Sequence, residues 1–222
     1  MTIKGFPLIK FQNANRIQDL QNGLIYMNSL EWYRKDESDN LNNVVGDSFE
    51  GMFHINEANF VLSETGESIE ITDELMMTSA SNDYVYCMFG INPYNNNFTF
   101  TEEQKETIKT FGDTALLILD KDEFFKRIQN AALKENYEIY GGFVHYYDEE
   151  KDSANLILSL LSGIQNIAFW KRKAYAYQQE FRFLIHMPSG EKDHLELNIG
   201  DIRDISKVYK TSDILSAKVT KM

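Results

Sequence analysis

Between Phe169 and Ile185 the chain reads FWKRKAYAYQQEFRFLI, a cluster of three cations followed by a run with apolar residues at every second position. Side chains alternate along an extended chain, so Phe181, Phe183 and Ile185 are expected to enter a core while Glu180, Arg182 and Leu184 share the opposite face. No other stretch constrains the fold as much. It requires a sheet with one apolar side, and it sets an acid and a guanidinium side by side near Lys171, Arg172 and Lys173. If the extended conformation runs back far enough, Tyr175 and Tyr177 lie beside them. The apolar face makes core, and Glu180 and Arg182 are expected at the mouth of a cleft.

Other segments supply the remaining elements. The stretch Thr2 to Phe11 reads as a short first strand, at a sheet edge because Pro7 donates no ladder hydrogen bond. Asn13 or Asn15 can cap a helix through Ile17 and Leu20 that stops at Gly23. LIYMNSLEWY then reads as a strand and Arg34 to Asn43 as a polar loop leading to GDSFEG, Gly46 to Gly51. Two β-rich arms around Thr65 and Gly66 predict a hairpin, and the continuously apolar YVYCMFGI a central strand containing Cys87 as a small core residue.

Thr101 and Gln104 form a capping box, TALLILD is a buried strand, and Asp120 and Glu123 open a helix with Phe124, Ile128 and Ala131 or Ala132 on one stripe. Glu138 to Asp148 is a strand in which Gly141 and Gly142 suggest a bulge or a close backbone approach. An apolar helix is expected near Ala154 to Ala168. Hairpins with helices between later strands predict an α+β fold: one domain over residues 1–222, a mixed, mainly antiparallel sheet with several flanking helices. PYNNNF, Pro93 to Phe98, resembles a boundary, but neither side holds enough separate core.

With 222 residues and 43% hydrophobic side chains, the chain can bury a substantial core. A lone cysteine and no secretion-type start point to the cytosol, and no apolar run approaches the length of a membrane span. The net charge of −12 disfavours general nucleic-acid binding and leaves two uses for the acidity, solubility or a charged protein partner. His54, His145, His186 and His194 lack metal-ligand spacing, although His186 and His194 could meet across the intervening turn, so no metal site is assigned. P-loop, nucleophile-elbow and dithiol signatures are absent.

Several stretches taken together, LIKF, GLIYMNSLEWYRK, GDSFEG, LLILDKDEFFKRI, GFVHYYD and FWKRKAYAYQQEFRF, resemble a widespread family of bacterial and phage proteins classed as a domain of unknown function. Its pattern includes an Asn-Asp-Pro-Phe-Glu loop and a lysine followed by a Glu-x-Arg strand. Gly46 and Ser48 stand where that pattern has Asn and Pro, so the loop match rests on Asp47, Phe49 and Glu50. The lysine is either Lys171 or Lys173, and the strand match falls on Glu180 and Arg182. The resemblance implies no established activity.

A more distant likeness is to ADP-ribosyltransferases, with Lys10 or Arg16, Ser29 or Ser79, and Glu180 in the three roles; in that reading the carboxylate polarises a ribose hydroxyl. Ion pairing of Glu180 and Arg182 with neighbouring strands is the plainer role for both.

Two functions follow as expectations. One is a non-enzymatic cytosolic protein of phage–bacterial conflict, in defence or anti-defence, which binds a protein partner through an acidic, aromatic surface. The other is an ADP-ribosyltransferase-like enzyme or sensor that takes NAD or another nucleotide. In that second case Glu180 is the catalytic candidate, and Lys10, Asp47, Glu50, Lys171, Lys173, Tyr177 and Arg182 are the ligand-binding ones, since cations and guanidinium donors are what phosphate oxygens require.

Overall fold

The structure, a computed structural model, describes residues 3–39, 49–55, 58–61, 65–66, 68–71, 75–78, 83–92, 97–148, 164–187 and 194–220. β1 (Leu8–Gln12) leads into α1 (Ala14–Gln21), and β2 (Leu24–Ser29) continues directly into α2 (Leu30–Asp39). Four short strands follow: β3 (Met52–Ile55), β4 (Ala58–Val61), β5 (Ser68–Ile71) and β6 (Leu75–Thr78). Next come β7 (Asp83–Gly90), β8 (Asn97–Thr99), α3 (Glu102–Phe111), β9 (Thr114–Ile118) and α4 (Lys121–Lys134). β10 (Glu138–Phe143), β11 (His145–Tyr147), β12 (Trp170–Arg172), β13 (Glu180–His186), β14 (His194–Asn198), β15 (Ser206–Lys210), α5 (Thr211–Leu215) and β16 (Lys218–Thr220) complete the order.

Local chemistry sets the helix starts as the sequence predicts. Asn13 accepts from the Arg16 backbone N–H at 3.0 Å, Thr101 and Gln104 form their reciprocal box, and Asp120 accepts from the Glu123 N–H at 3.2 Å. β4 and β5 pair antiparallel around Thr65 and Gly66.

The fold is α+β, and every pairing in its main sheet is antiparallel. Among the described residues the sheet has eight strands: β10-β13-β7-β1-β9-β15, with β2 also joining β7 and β14 joining β2. Strands from before and after Pro93 to Phe98 therefore interleave, with β7 beside β13 and β1 beside β9. Residues 93–96 themselves lie outside the described residues.

The sheet forks on one side of β7. β1 meets it only through Leu8 and Ile9, opposite Gly90 and Phe89, and β2 only through Asn28 and Ser29, opposite Val85 and Tyr84. Tyr86, Cys87 and Met88 face the gap between these two pairings.

Each face of the sheet carries a core. Ile17 and Leu20 of α1 and Phe124 and Ile128 of α4 pack with Phe181, Phe183 and Ile185, as the alternation requires. On the other face Ile9, Phe11 and Phe89 pack with Phe98, Phe100 and Ile108 of α3.

Several sequence-based expectations give way. β1 is interior, between β7 and β9, because Pro7 precedes the strand and leaves its ladder intact. LEWY is helical because Ser29 caps α2, its hydroxyl accepting from the Trp32 N–H at 3.1 Å; the helix runs to Asp39 in place of the expected loop, whose last residues lie outside the described ones. The strand from Glu138 breaks at Val144, whose N–H donates to the Glu180 carbonyl. Gly141 and Gly142 keep regular register with Phe183 and Arg182, and Phe169 lies against Gly142, so the glycines mark a close approach and no bulge. Lys173–Gln178 is a 3-10 helix, not extended chain, and Ile164–Phe169 is another. The rest of the apolar helix expected near Ala154 falls outside the described residues.

Truncating Phe183, which packs against Phe124 and Phe125, should cost roughly 3–5 kcal/mol in urea unfolding as Phe183→Ala. Leu133→Ala, at a position 60% exposed, should stay within about 0.5 kcal/mol of wild type.

Candidate functional site

Four ionised side chains meet on the face of β13 opposite Phe183. Glu180 and Arg182 come from β13 itself. Lys171 comes from β12, which lies parallel to β11 and is joined to β13 by the 3-10 helix and a left-handed turn at Gln179, φ +43°. Glu50 comes from the turn before β3, where its carbonyl accepts from Arg34 Nη1 at 2.7 Å.

Lys171 Nζ lies 2.9 Å from Glu180 Oε1 and 3.2 Å from Glu50 Oε2. Arg182 Nε lies 2.7 Å from Glu180 Oε2, and its Nη1 lies 2.5 Å from Glu50 Oε1. Neutral partners complete the set: Arg182 donates to the Ala168 carbonyl at 2.6 Å, Lys171 to Gln178 Oε1 at 2.8 Å, and the Glu180 N–H to the Tyr146 hydroxyl at 2.8 Å. All four charged residues are buried, none more than 8% exposed. The alternation in β13 therefore holds, and Glu180 and Arg182, buried by their pairing with Glu50 and Lys171, also contribute to the wall of a cavity.

Burial alone would raise the Glu180 carboxyl; the Arg182 guanidinium and the Lys171 ammonium outweigh it and hold the group well below the usual carboxylate range. Burial likewise lowers Lys171, and Glu180 and Glu50 reverse the effect, leaving its ammonium raised.

Beside this network a cavity of about 370 Å³ passes through the fork. Residues from both faces of the sheet line it, among them Ile9, Cys87 and Phe89 from one and Lys10, Tyr86 and Met88 from the other. Lys10 reaches into the gap, its Nζ donating to the Cys87 carbonyl at 2.7 Å and lying 4.5 Å from the centre of the Tyr86 ring. Among the described residues no carboxylate lies within ion-pair distance of Lys10. Burial lowers its pKa, an effect that Cys87 and Glu180 only partly offset. The Cys87 thiol is pushed up to about 12, chiefly by burial, which leaves it unreactive as a nucleophile.

Of the residues singled out from the sequence, Lys10, Glu50, Lys171, Tyr177, Glu180 and Arg182 line this one cavity. Lys173 does not join them: its side chain is 69% exposed and lies 3.6 Å from Asp148, because the 3-10 helix turns it outward. Asp47 lies outside the described residues, as does Ser79. Arg16 lines the cavity, whereas Ser29 is occupied as the α2 cap. His186 pairs with Asp83 at 2.8 Å and His194 stacks on Tyr26, so the two histidines do not meet.

Sequence reasoning missed Tyr26, Trp32 and Tyr33, which also line the cavity. A signal existed for Tyr26, since LIYMNS buries Ile25 and Met27 and leaves Tyr26 and Asn28 on the alternate face. No protein-family model, curated protein or solved structure matches the chain.

Breaking the network should be costly because it strands a buried charge: Glu50→Gln is expected to lose roughly 3–5 kcal/mol in urea unfolding at pH 7. A carboxyl held below its unfolded value of about 4.3 contributes stability that is complete above that value and is lost as pH falls toward the folded value. Raised Lys171 contributes below about pH 10.4 and loses that contribution only as pH climbs through its folded value. The stability gap between wild type and Glu180→Gln should therefore narrow from pH 6 to pH 3, as read by urea midpoints.

Proposed function

We propose that the protein binds a nucleotide-like small molecule, a planar ring carrying an anionic group, in the cavity of the forked sheet, as a sensor or an enzyme. Lys10 carries this reading. An ammonium that donates to a main-chain carbonyl and lies over a ring face, with no carboxylate within ion-pair distance among the described residues, offers its charge to an anion entering the cavity; burial lowers its pKa, and the anion would favour the protonated form. Trp32, Tyr33 and Tyr177 in the same lining supply aromatic rings of the kind on which a base stacks.

NAD belongs among the candidates because Glu180 lines the cavity. Its two oxygens face Lys171 and Arg182, yet an ionised carboxylate has about four acceptor sites and so keeps capacity for a ribose hydroxyl. The setting in phage–bacterial conflict comes from the family resemblance and remains part of the proposal. Action on a protein partner has weaker support, the net charge of −12; among the described residues the exposed large apolar ones, Trp32, Leu133 and Val208, sit on three different elements.

Thermal-shift measurements against NAD and a panel of nucleotides and nucleosides should raise the melting temperature for at least one of them, and Lys10→Met should remove the shift produced by an anionic ligand, read against the variant's own apo melting temperature. Absence of any shift across the panel would defeat the reading.

A further inference from the structure

The charges that line the cavity limit what it can accept. Among the described residues, four cations, Lys10, Arg16, Lys171 and Arg182, and three carboxylates, Asp19, Glu50 and Glu180, contribute to its wall, a balance of 4 − 3 = +1. Lys171 and Arg182 are fully matched by Glu50 and Glu180 within 3.2 Å. Arg16 and Asp19 face each other at 4.0 Å, both about half exposed, and cancel to first order. The surplus therefore sits on Lys10.

From this balance we infer that the cavity selects a nucleotide bearing a single negative charge, a phosphodiester such as a 3′,5′-cyclic mononucleotide, over nucleoside di- and triphosphates. The inference rests on the nucleotide reading above and narrows it. One anionic phosphodiester neutralises Lys10. Each further charge would be desolvated without a partner, because Lys171 and Arg182 are already matched by the Glu50 and Glu180 carboxylates in the wall, and burying an unpaired charge is costly in a confined site.

Polyphosphate sites solve this problem with a glycine-rich cradle of backbone N–H groups and a magnesium ion; the chain has no G-x-x-x-x-G-K-[ST] sequence, and among the described residues no cluster of three metal-ligating side chains occurs. The volume, about 370 Å³, is at the lower end of ligand cavities, which span roughly 300–1,000 Å³, and suits a mononucleotide better than a dinucleotide. Neutral amides such as Asn28 and Gln12 in the lining suit the edge of a base.

Isothermal titration at fixed ionic strength, with and without magnesium, should compare 3′,5′-cyclic AMP and cyclic GMP with AMP, ADP, ATP, NAD and the uncharged nucleosides. The cyclic nucleotide is expected to bind at least tenfold tighter than the di- and triphosphate of the same base. Lys10→Met should weaken the cyclic nucleotide at least tenfold but leave the nucleoside unchanged, and Lys10→Arg should retain most of the affinity. Equal or tighter binding of ADP or ATP would overturn the charge argument with the nucleotide reading intact. Failure of every nucleotide and nucleoside to bind would remove both.

Discussion

The ion network of Glu50, Lys171, Glu180 and Arg182 is the interaction on which the rest of the site depends. Moving one ion out of water costs several kcal/mol even after relaxation, so a lone buried member would be untenable. Four of them persist because each cation touches both carboxylates and each carboxylate both cations. At an effective dielectric of about 20, one contact at about 4 Å is worth roughly 4 kcal/mol, and four such attractions, less the repulsion within the Lys171–Arg182 and Glu50–Glu180 pairs, work with the neutral donors and acceptors around them against the desolvation. Geometry follows from that balance. The network pins the turn at Glu50 and the short strand carrying Lys171 against β13, and the neighbouring cavity takes its polar wall from the same residues.

The fork is the second constraint. A strand that keeps a partner along its whole length on one side and only at its two ends on the other leaves main-chain groups to be satisfied by something else. β7 is such a strand, complete against β13 and split between β1 and β2. Lys10 satisfies the Cys87 carbonyl there. Because β1 and β2 diverge, the gap opens to both faces, which explains how a sheet with cores on each side contains a cavity through its middle.

Periodicity made much of this legible. The alternation in EFRFLI predicts which residues of β13 enter the aromatic core, and the spacing of Phe124, Ile128 and Ala132 identifies the inner stripe of α4. Capping residues mark the starts of α1, α3 and α4. What alternation cannot say is whether the second face of a strand is wet, since a polar residue there reads the same in sequence whether it meets water or a buried partner 130 residues away. Glu180 and Arg182 are the clearest case: their side of the strand was predicted, and their burial depends on Glu50 and Lys171. The extent of α2 was missed because Ser29 reads as a strand residue until its hydroxyl is seen to cap a helix. Fork geometry had no sequence signal, because it arises from the lengths over which three strands pair.

These arrangements bear on what chemistry the site can support. A general acid or base works best with a pKa near the operating pH, and Glu180, held ionised far below it by two cations, is poorly suited to exchange protons there. A fixed carboxylate is suited instead to electrostatic work: it can accept a hydroxyl hydrogen bond or face a centre that gains positive charge, with little reorganisation because its partners already hold it. Lys171 and Arg182 moderate that field. Any catalytic use of Glu180 would thus depend on stabilising developing charge, and its strength would depend on how much of the carboxylate remains uncompensated on the cavity side.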